Sequence, residues 1–249
     1  AAAAAPNVVT VRADDYSFQI PDTVRAGLTT IRLEAGGKEL HHANVLKLDE
    51  GKTVDDLMTA LRAAPAIPSW AAEVGGPNPP APGAVAEATM NLAPGNYVVV
   101  CFVPSPDGAP HIAKGMFKPF VVTGSAAKVE QDADLQMTLV DYGFELSAPL
   151  TAGAHVIRVV NTAPQSHEVS LVKLAPGKKA IDVAKWIEKP QGPPPGQPLG
   201  GVAGIKPGAS ATFPATLEKG EYALLCFLPD AKDGKPHLAH GMMTEVTVQ

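Results

Sequence analysis

The stretch CFVPSPDGAPHIAKGM, residues 101–116, follows an apolar run and places a cysteine, a histidine and a methionine on one short segment. The stretch CFLPDAKDGKPHLAHGM, residues 226–242, repeats that order near the end of the chain. The 249-residue sequence contains two cysteines, and each occupies the first position of one of these stretches. The sequence therefore indicates a repeat that ends in a loop bearing Cys, His and Met.

The duplication extends over most of the chain. DYSF at 15–18 matches DYGF at 141–144 at an offset of 126 residues, and GNYVVVCF at 95–102 matches GEYALLCF at 220–227 at an offset of 125. Landmarks that recur at a nearly constant offset are typical of a duplicated domain. We therefore predict two copies of one domain.

The composition and periodicity predict an all-β fold. The 25 prolines and 23 glycines separate short apolar runs, which is typical of strands joined by turns. In each copy one segment, 53–64 or 180–189, has the apolar spacing of an amphipathic helix. We predict two tandem β-sandwich domains at 7–123 and 135–249, each with one short inserted helix.

The segments of low apolar periodicity have different predicted roles. Periodicity lapses at 123–134, which predicts the boundary between the copies. Proline-rich stretches at 77–82 and 189–198 lie within the copies, after the helical segments. We predict these two stretches as extended surface loops rather than linkers.

Charge and hydropathy exclude several classes of partner. The net charge is -5, and no run of Lys or Arg exceeds two residues, so we expect no nucleic-acid or anionic-membrane partner. No stretch of about 18 apolar residues is present, so no membrane span is predicted. The Ala-rich start resembles a mature chain after signal-peptide removal, which predicts a periplasmic or secreted protein.

The apolar runs 97–101 and 222–226 end at Cys101 and Cys226 and predict strands buried on both faces. A lone cysteine in such a place is most simply a small buried hydrophobic residue. A disulfide between the two is not predicted, because it would join equivalent strands of two separate cores. The accompanying His and Met favour a different interpretation, because thiolate, imidazole and thioether together suit copper.

A copper site of this kind needs a second histidine in each copy. In the second copy it is His167, immediately before the apolar run EVSLVKL, and an offset of 126 places His41 at the equivalent position. His42 is the alternative, although in a strand it would point to the opposite face. His155 and His240 have no counterpart, because positions 29 and 114 are Thr and Lys, and we expect them at the surface or behind the ligands.

With these residues the chain resembles a tandem pair of cupredoxins, the Greek-key β-sandwich family of blue-copper proteins. The resemblance implies two type 1 sites, each holding one copper ion that cycles between Cu(I) and Cu(II). The implied ligands are His41, Cys101, His111 and Met116 in the first copy, and His167, Cys226, His237 and Met242 in the second. Met243 is an alternative to Met242, which the spacing favours.

The loops depart from those of small electron carriers of the family. Nine residues separate Cys101 from His111, and ten separate Cys226 from His237, so each loop must fold back as a turn. The HxxxGM spacing is similar to that of copper nitrite reductases. The chain nevertheless has no His-x-His pair and no histidine beside either cysteine, so ligands for a catalytic copper are missing and no enzyme is predicted.

The leading hypothesis from the sequence is a two-copper electron-transfer protein. The resemblance implies that the loop histidine presents its outer edge to a redox partner protein through a transient interface. One alternative is a copper-handling protein for storage or delivery, and another is a copper-free structural or interaction module. The sequence leaves the oligomeric state open.

Overall fold

A computed structural model of the protein describes residues 5–64, 66–125 and 127–249. These residues form mostly β structure, which confirms the predicted fold class. The strands of the first repeat are β1 (Asn7–Asp14), β2 (Ser17–Gln19), β3 (Thr23–Arg25), β4 (Gly27–Ala35), β5 (Asn44–Leu48), β6 (Ala71–Gly75), β7 (Val85–Leu92), β8 (Gly95–Val100) and β9 (Phe117–Thr123). Those of the second repeat are β10 (Leu135–Val140), β11 (Gly143–Leu146), β12 (Gly153–Asn161), β13 (His167–Leu174), β14 (Gly196–Ile205), β15 (Ser210–Leu217), β16 (Gly220–Leu225) and β17 (Met243–Val248).

Two sheets run through both repeats. One has the strand order β11-β10-β12-β15-β7-β4-β1-β2, and the other has the order β17-β16-β13-β14-β6-β5-β8-β9-β3. The repeats join where Thr212 of β15 pairs with Thr89 of β7 and where Ile205 of β14 pairs with Val74 of β6. Apolar residues from both repeats form one continuous core. The expectation of separate cores is therefore wrong, while the domain limits 7–123 and 135–249 stay a prediction.

The strands that lead to the cysteines are buried on both faces, as their apolar runs predict. In β8, Tyr97 and Val99 belong to the core that also contains Cys101. Val98 and Val100 belong to a second cluster on the opposite face, with Leu57. The strand β16 repeats this division. The sulfur-bearing position is thus fixed by packing on both sides of its strand.

In each repeat one helix covers the sheet that contains β8 and β16. It packs on the outer face of that sheet, which is the face opposite the cysteine-containing core. Helix α1 (Val54–Ala63) and helix α2 (Ala180–Glu188) confirm the two predicted helical segments. At the start of α1 the Thr53 hydroxyl accepts a hydrogen bond from the Asp56 N–H, and the Asp56 carboxylate accepts one from the Thr53 N–H. This reciprocal cap satisfies backbone groups that have no partner within the helix. No helix among the described residues has the length and hydropathy needed to span a bilayer.

The first proline-rich stretch is not a surface loop, contrary to the prediction. Pro77, Asn78 and Pro80 are buried. Pro77 forms a β-bridge with Val202, and Pro80 forms one with Leu199. The second repeat covers this stretch, which the sequence of one copy alone does not reveal. The second proline-rich stretch is exposed at 189–194, as predicted, and then enters β14.

Candidate metal centre

The long loops fold back onto the cysteine strands through equivalent backbone contacts in the two repeats. Pro104 pairs with Pro110 in the first loop, which closes the segment between Cys101 and the short 3-10 helix His111–Lys114. The Ile112 N–H donates to the Cys101 carbonyl at 2.7 Å. The second loop makes the same closure between Pro229 and Pro236, and the Leu238 N–H donates to the Cys226 carbonyl at 3.0 Å. The predicted turns are therefore present, and they return each loop histidine to its cysteine.

The first repeat brings His41, Cys101 and His111 together. One ligand atom from each lies within 4.8 Å of those of the other two, and all three residues are buried. Nδ1 of His111 is 3.4 Å from the Cys101 sulfur and 3.1 Å from Nδ1 of His41. Nδ1 of His111 therefore lies near both the sulfur and Nδ1 of the other ring.

The second repeat brings His167, Cys226 and His237 together in the same way. Their ligand atoms also lie within 4.8 Å of one another, and all three residues are buried. Nδ1 of His237 is 3.3 Å from the Cys226 sulfur, and Nδ1 of His167 is 3.8 Å from it. Both cysteines are free thiols.

The methionines close the same loops. Met116 and Met242 are fully buried, in the core that contains the cysteines. The Cys101 N–H donates to the Met116 carbonyl, and the Cys226 N–H donates to the Met242 carbonyl, both at 3.2 Å. Met243, the alternative, is partly exposed and packs in the cluster on the outer face of the sheet. The backbone therefore places Met116 and Met242 next to the cysteines in space, and their role as ligands stays a prediction.

The two adjacent histidines of the first repeat have different surroundings. His41 belongs to the buried group, whereas Nε2 of His42 accepts a hydrogen bond of 2.8 Å from the Phe102 N–H. His42 is buried, and burial lowers its pKa to about 4. The geometry agrees with the register argument that favours His41 as the ligand.

Carboxylates accept hydrogen bonds from the outer nitrogens, Nε2, of the strand histidines. Nε2 of His41 donates to Oδ1 of Asp15 at 3.0 Å, and Nε2 of His167 donates to Oδ1 of Asp141. A carboxylate on the far nitrogen fixes the tautomer and the ring orientation of a metal-ligating histidine. Asp15 and Asp141 are the first residues of the DYSF and DYGF motifs. Each repeated motif therefore also supplies the carboxylate that accepts a hydrogen bond from the strand histidine.

The loop histidines differ between the repeats. Nε2 of His111 donates to Oε2 of Glu39 at 2.7 Å. Nε2 of His237 is 3.8 Å from Oδ2 of Asp230, and it has no hydrogen-bond partner among the described residues. The Asp230 carboxylate instead accepts hydrogen bonds from Tyr142 and Gln165. In the first centre each histidine ring therefore donates a hydrogen bond to its own carboxylate. In the second centre only the strand histidine does so.

Tyrosines cover the loop histidines. Tyr16 packs edge-on against His111, with ring centroids 5.3 Å apart, and its hydroxyl donates to Glu39. Tyr142 lies against His237 at 5.6 Å. The His111 and His237 side chains have no exposed surface. The expectation that their outer edges are open to a partner is therefore wrong, because the tyrosines and carboxylates occupy that side.

The histidines without a counterpart are not part of either buried group. His155 contacts Asp134 and Thr151, away from the cysteines. His240 is exposed, packs on Tyr142 and lies 3.1 Å from Oδ1 of Asp233. These places match the expectation of surface or outer positions.

The protonation states of the donor atoms are compatible with a bound metal cation. Burial raises the pKa of the Cys101 thiol to about 12, and burial lowers the pKa of His237 to about 4. Because Nε2 of His41 and of His111 carries the proton given to a carboxylate, both Nδ1 atoms present lone pairs, 3.1 Å apart in a buried space. A cation placed among these donors would relieve that repulsion and favour the thiolate.

Sequence reasoning missed the carboxylates. Asp15 and Asp141 left a signal, since both belong to the repeated DY motif. Glu39 and Asp230 are not repeated in the sequence. Glu39 aligns with Gln165 (39 + 126), and Asp230 aligns with Ser105 (105 + 125). The acidic residue beside the loop histidine thus comes from different segments in the two repeats.

Comparison with known proteins gives distant structural likenesses. No family model matches the chain, and no curated protein matches it. It is similar to auracyanin A, a "blue" copper protein from Chloroflexus aurantiacus, at 20% identity and a TM-score of 0.32, over 48% of this chain and 100% of that one. It is also similar to a Cu-containing nitrite reductase from Thermus scotoductus SA-01, at 14% identity and a TM-score of 0.26, over 97% of this chain and 61% of that one.

Proposed function

We propose that the protein transfers electrons through two type 1 copper sites, one in each repeat. The observation that carries the proposal is the twofold convergence of a buried sulfur with two Nδ1 atoms, at His41, Cys101 and His111 and at His167, Cys226 and His237. Two His and one Cys with a weak axial Met form the donor set of blue-copper sites. Met116 and Met242 are the proposed axial donors.

The protein would contribute a rigid donor set to this chemistry. Bound copper supplies a one-electron couple between Cu(II) and Cu(I). The cysteine strands are packed on both faces, and the loops are tied to them by backbone hydrogen bonds, so the donors have little room to rearrange. Asp15 and Asp141 orient the strand histidines. Because both thiols are protonated at neutral pH, loading with copper would release a proton from each cysteine.

The proposal includes a redox partner protein that docks through a small, transient interface. Tyr16 and Tyr142 cover the loop histidines, so the partner would approach the centres across these rings. No catalytic copper is included, because the sequence lacks a His-x-His pair. The periplasmic or secreted location stays a prediction.

Copper titration tests the proposal. The protein is loaded with Cu(II), bound copper is counted by elemental analysis, and the visible spectrum is recorded. We expect two copper ions per chain and an intense thiolate-to-copper absorption that bleaches on reduction and returns on oxidation. Cys101→Ser and Cys226→Ser should each retain one ion, and Met242→Leu should alter the spectrum of one site, whereas Met243→Leu should not.

Other results would favour the alternative functions. A colourless protein without bound copper would support a copper-free module. Bound copper that does not cycle with small electron carriers would support storage or delivery. Loss of both ions from either single cysteine variant would contradict independent sites.

A further inference from the structure

Three buried polar side chains lie between the two centres. They are His42 of the first repeat, Asn78 of the buried proline-rich stretch and Glu168 of the second repeat, with 6%, 1% and 4% of their surfaces exposed. Burying polar groups costs free energy unless they are hydrogen-bonded, and a buried carboxylate costs most. Apolar residues could fill the same space, so the retention of three polar ones calls for a role.

The first end of this bridge touches the first centre. His42 directly follows the strand histidine His41, and its Nε2 accepts from the N–H of Phe102, the residue after Cys101. The next residue, Ala43, donates its N–H to the carbonyl of Pro77 at 3.0 Å, which joins this end to Asn78 through the backbone.

The other end has the same relation to the second centre. Glu168 directly follows His167 and occupies the position equivalent to His42 (42 + 126). Its Oε1 accepts at 3.0 Å from the N–H of Phe227, the residue after Cys226. Its own N–H lies 3.5 Å from the Cys226 sulfur.

Asn78 joins the two ends. Its Nδ2 donates to Oε2 of Glu168 at 3.3 Å, and also to the carbonyls of Val169 and Val202 at 2.9 and 3.2 Å. Its backbone N–H donates to the Gly201 carbonyl. Asn78 is thus a residue of the first repeat held by the second. A continuous path of covalent and hydrogen bonds, through the Ala43 N–H and the Pro77 carbonyl, links the residues that follow the two strand histidines.

We propose that His42, Asn78 and Glu168 form a route for electron transfer between the two copper sites within one chain. The inference rests on the proposed function. Tunnelling decays less steeply along covalent and hydrogen bonds than across van der Waals gaps, so a bonded path favours transfer between the centres. One electron leaves the ion of one centre, which is oxidised from Cu(I) to Cu(II), and reduces the Cu(II) ion of the other. No bond is made or broken, and no proton moves.

Pulse radiolysis of the two-copper protein tests this route. All proteins carry Met116→Leu, which separates the absorption of the first site from that of the second by changing its axial donor. Substoichiometric reduction should be followed by a redistribution phase whose rate does not depend on protein concentration. Asn78→Leu should slow this phase about tenfold or more while both coppers remain bound. Glu168→Met, which removes the buried carboxylate at nearly constant shape, should slow it similarly.

Asn91→Leu is the matched control. Asn91 is hydrogen-bonded to Val129 in the segment between the repeats and touches neither the bridge nor the centres. Its substitution should leave the redistribution rate unchanged. An unchanged rate in folded, copper-loaded Asn78→Leu would overturn the route. If that variant does not fold, an unchanged rate in Glu168→Met would overturn it instead, as would the absence of a concentration-independent phase in the Met116→Leu parent.

A copper-free measurement separates this inference from the proposed function. In proton–nitrogen NMR spectra of the metal-free protein, Asn78→Leu should shift the amide resonances of Phe227 and Ala43. Unmoved resonances would show that the bridge does not form. Failure to bind copper would overturn both the proposed function and the electron route, even if these resonances move.

Discussion

Glu39 accepts a hydrogen bond of 2.7 Å from Nε2 of His111, whereas the equivalent nitrogen of His237 lies 3.8 Å from the nearest carboxylate oxygen, that of Asp230. Both centres have a cysteine, two histidines and a carboxylate on the strand histidine, and this contact is one of the differences between them. A carboxylate bonded to an imidazole increases the electron donation of the ring to a metal. Stronger donation stabilises Cu(II) relative to Cu(I), so the first centre should have the lower reduction potential.

Glu39→Gln should raise the potential of the first site. We expect a rise of roughly 50–100 mV, because loss of a charge-assisted hydrogen bond of about 1–2 kcal/mol acts on a one-electron couple. Spectroelectrochemistry of the Cys226→Ser chain, which isolates the first site, measures this change. Asp230→Asn in the Cys101→Ser chain is the control and should give a smaller shift. Equal shifts at the two sites would contradict the assigned difference.

His41→Ala should remove one copper ion and the absorption of the first site. His41 is part of the buried group, whereas His42 has its Nε2 committed to the Phe102 N–H. His42→Gln keeps a side-chain acceptor for that N–H and should retain two ions per chain. Elemental analysis and the visible spectrum provide the readout. Loss of copper from His42→Gln alone would reassign the ligand.

Leu57→Ala should destabilise the protein without changing the centre. Leu57 is fully buried against the outer face of β8, and the new cavity should lower the free energy of unfolding by about 2–5 kcal/mol. The visible spectrum should persist, because Cys101 belongs to the core on the other face. Ile181→Ala, at a 42% exposed position of α2, should change the free energy by no more than about 0.5 kcal/mol. Denaturant unfolding measures both values.

Glu73→Gln should stabilise the metal-free protein more at pH 8 than at pH 5. Burial raises the pKa of Glu73 above its unfolded value of 4.5, so the folded state holds the proton to higher pH than the unfolded state. Stability from this group is therefore present below pH 4.5 and falls as the pH rises through the folded pKa. Glutamine is neutral and can still accept from Asn44. A gain that does not grow with pH would contradict the assignment.

Much of the fold and the centres is predictable from the sequence because the relevant signals are local. The apolar runs ending at Cys101 and Cys226, and the amphipathic spacing around Leu57, depend on near neighbours in the chain. The matched offset of His41 and His167 similarly identifies an equivalent pair without knowledge of the sheets. The structure brings each of these histidines to its cysteine.

Features that depend on contact between the repeats could not be predicted in this way. The proline-rich stretch 77–82 predicts an exposed loop, yet the second repeat pairs with Pro77 and Pro80 and buries them. The carboxylate beside the loop histidine belongs to the same repeat as that histidine. Comparison of the two repeats does not identify it, because Glu39 and Asp230 come from different segments. The packing of Tyr16 over His111 likewise depends on the path of the first loop across the centre. Residue spacing alone does not specify that path.

The strands that join the two halves are themselves equivalent copies. Strand β6 pairs with β14 and β7 pairs with β15, and positions 85–92 of β7 correspond to 210–217 of β15 at an offset of 125. Such a contact is isologous, as in a twofold homodimer. An isolated half would present both strands as open edges, ready to pair with another copy of itself. In one chain this pairing does not depend on protein concentration, whereas two separate halves would have to associate to form it.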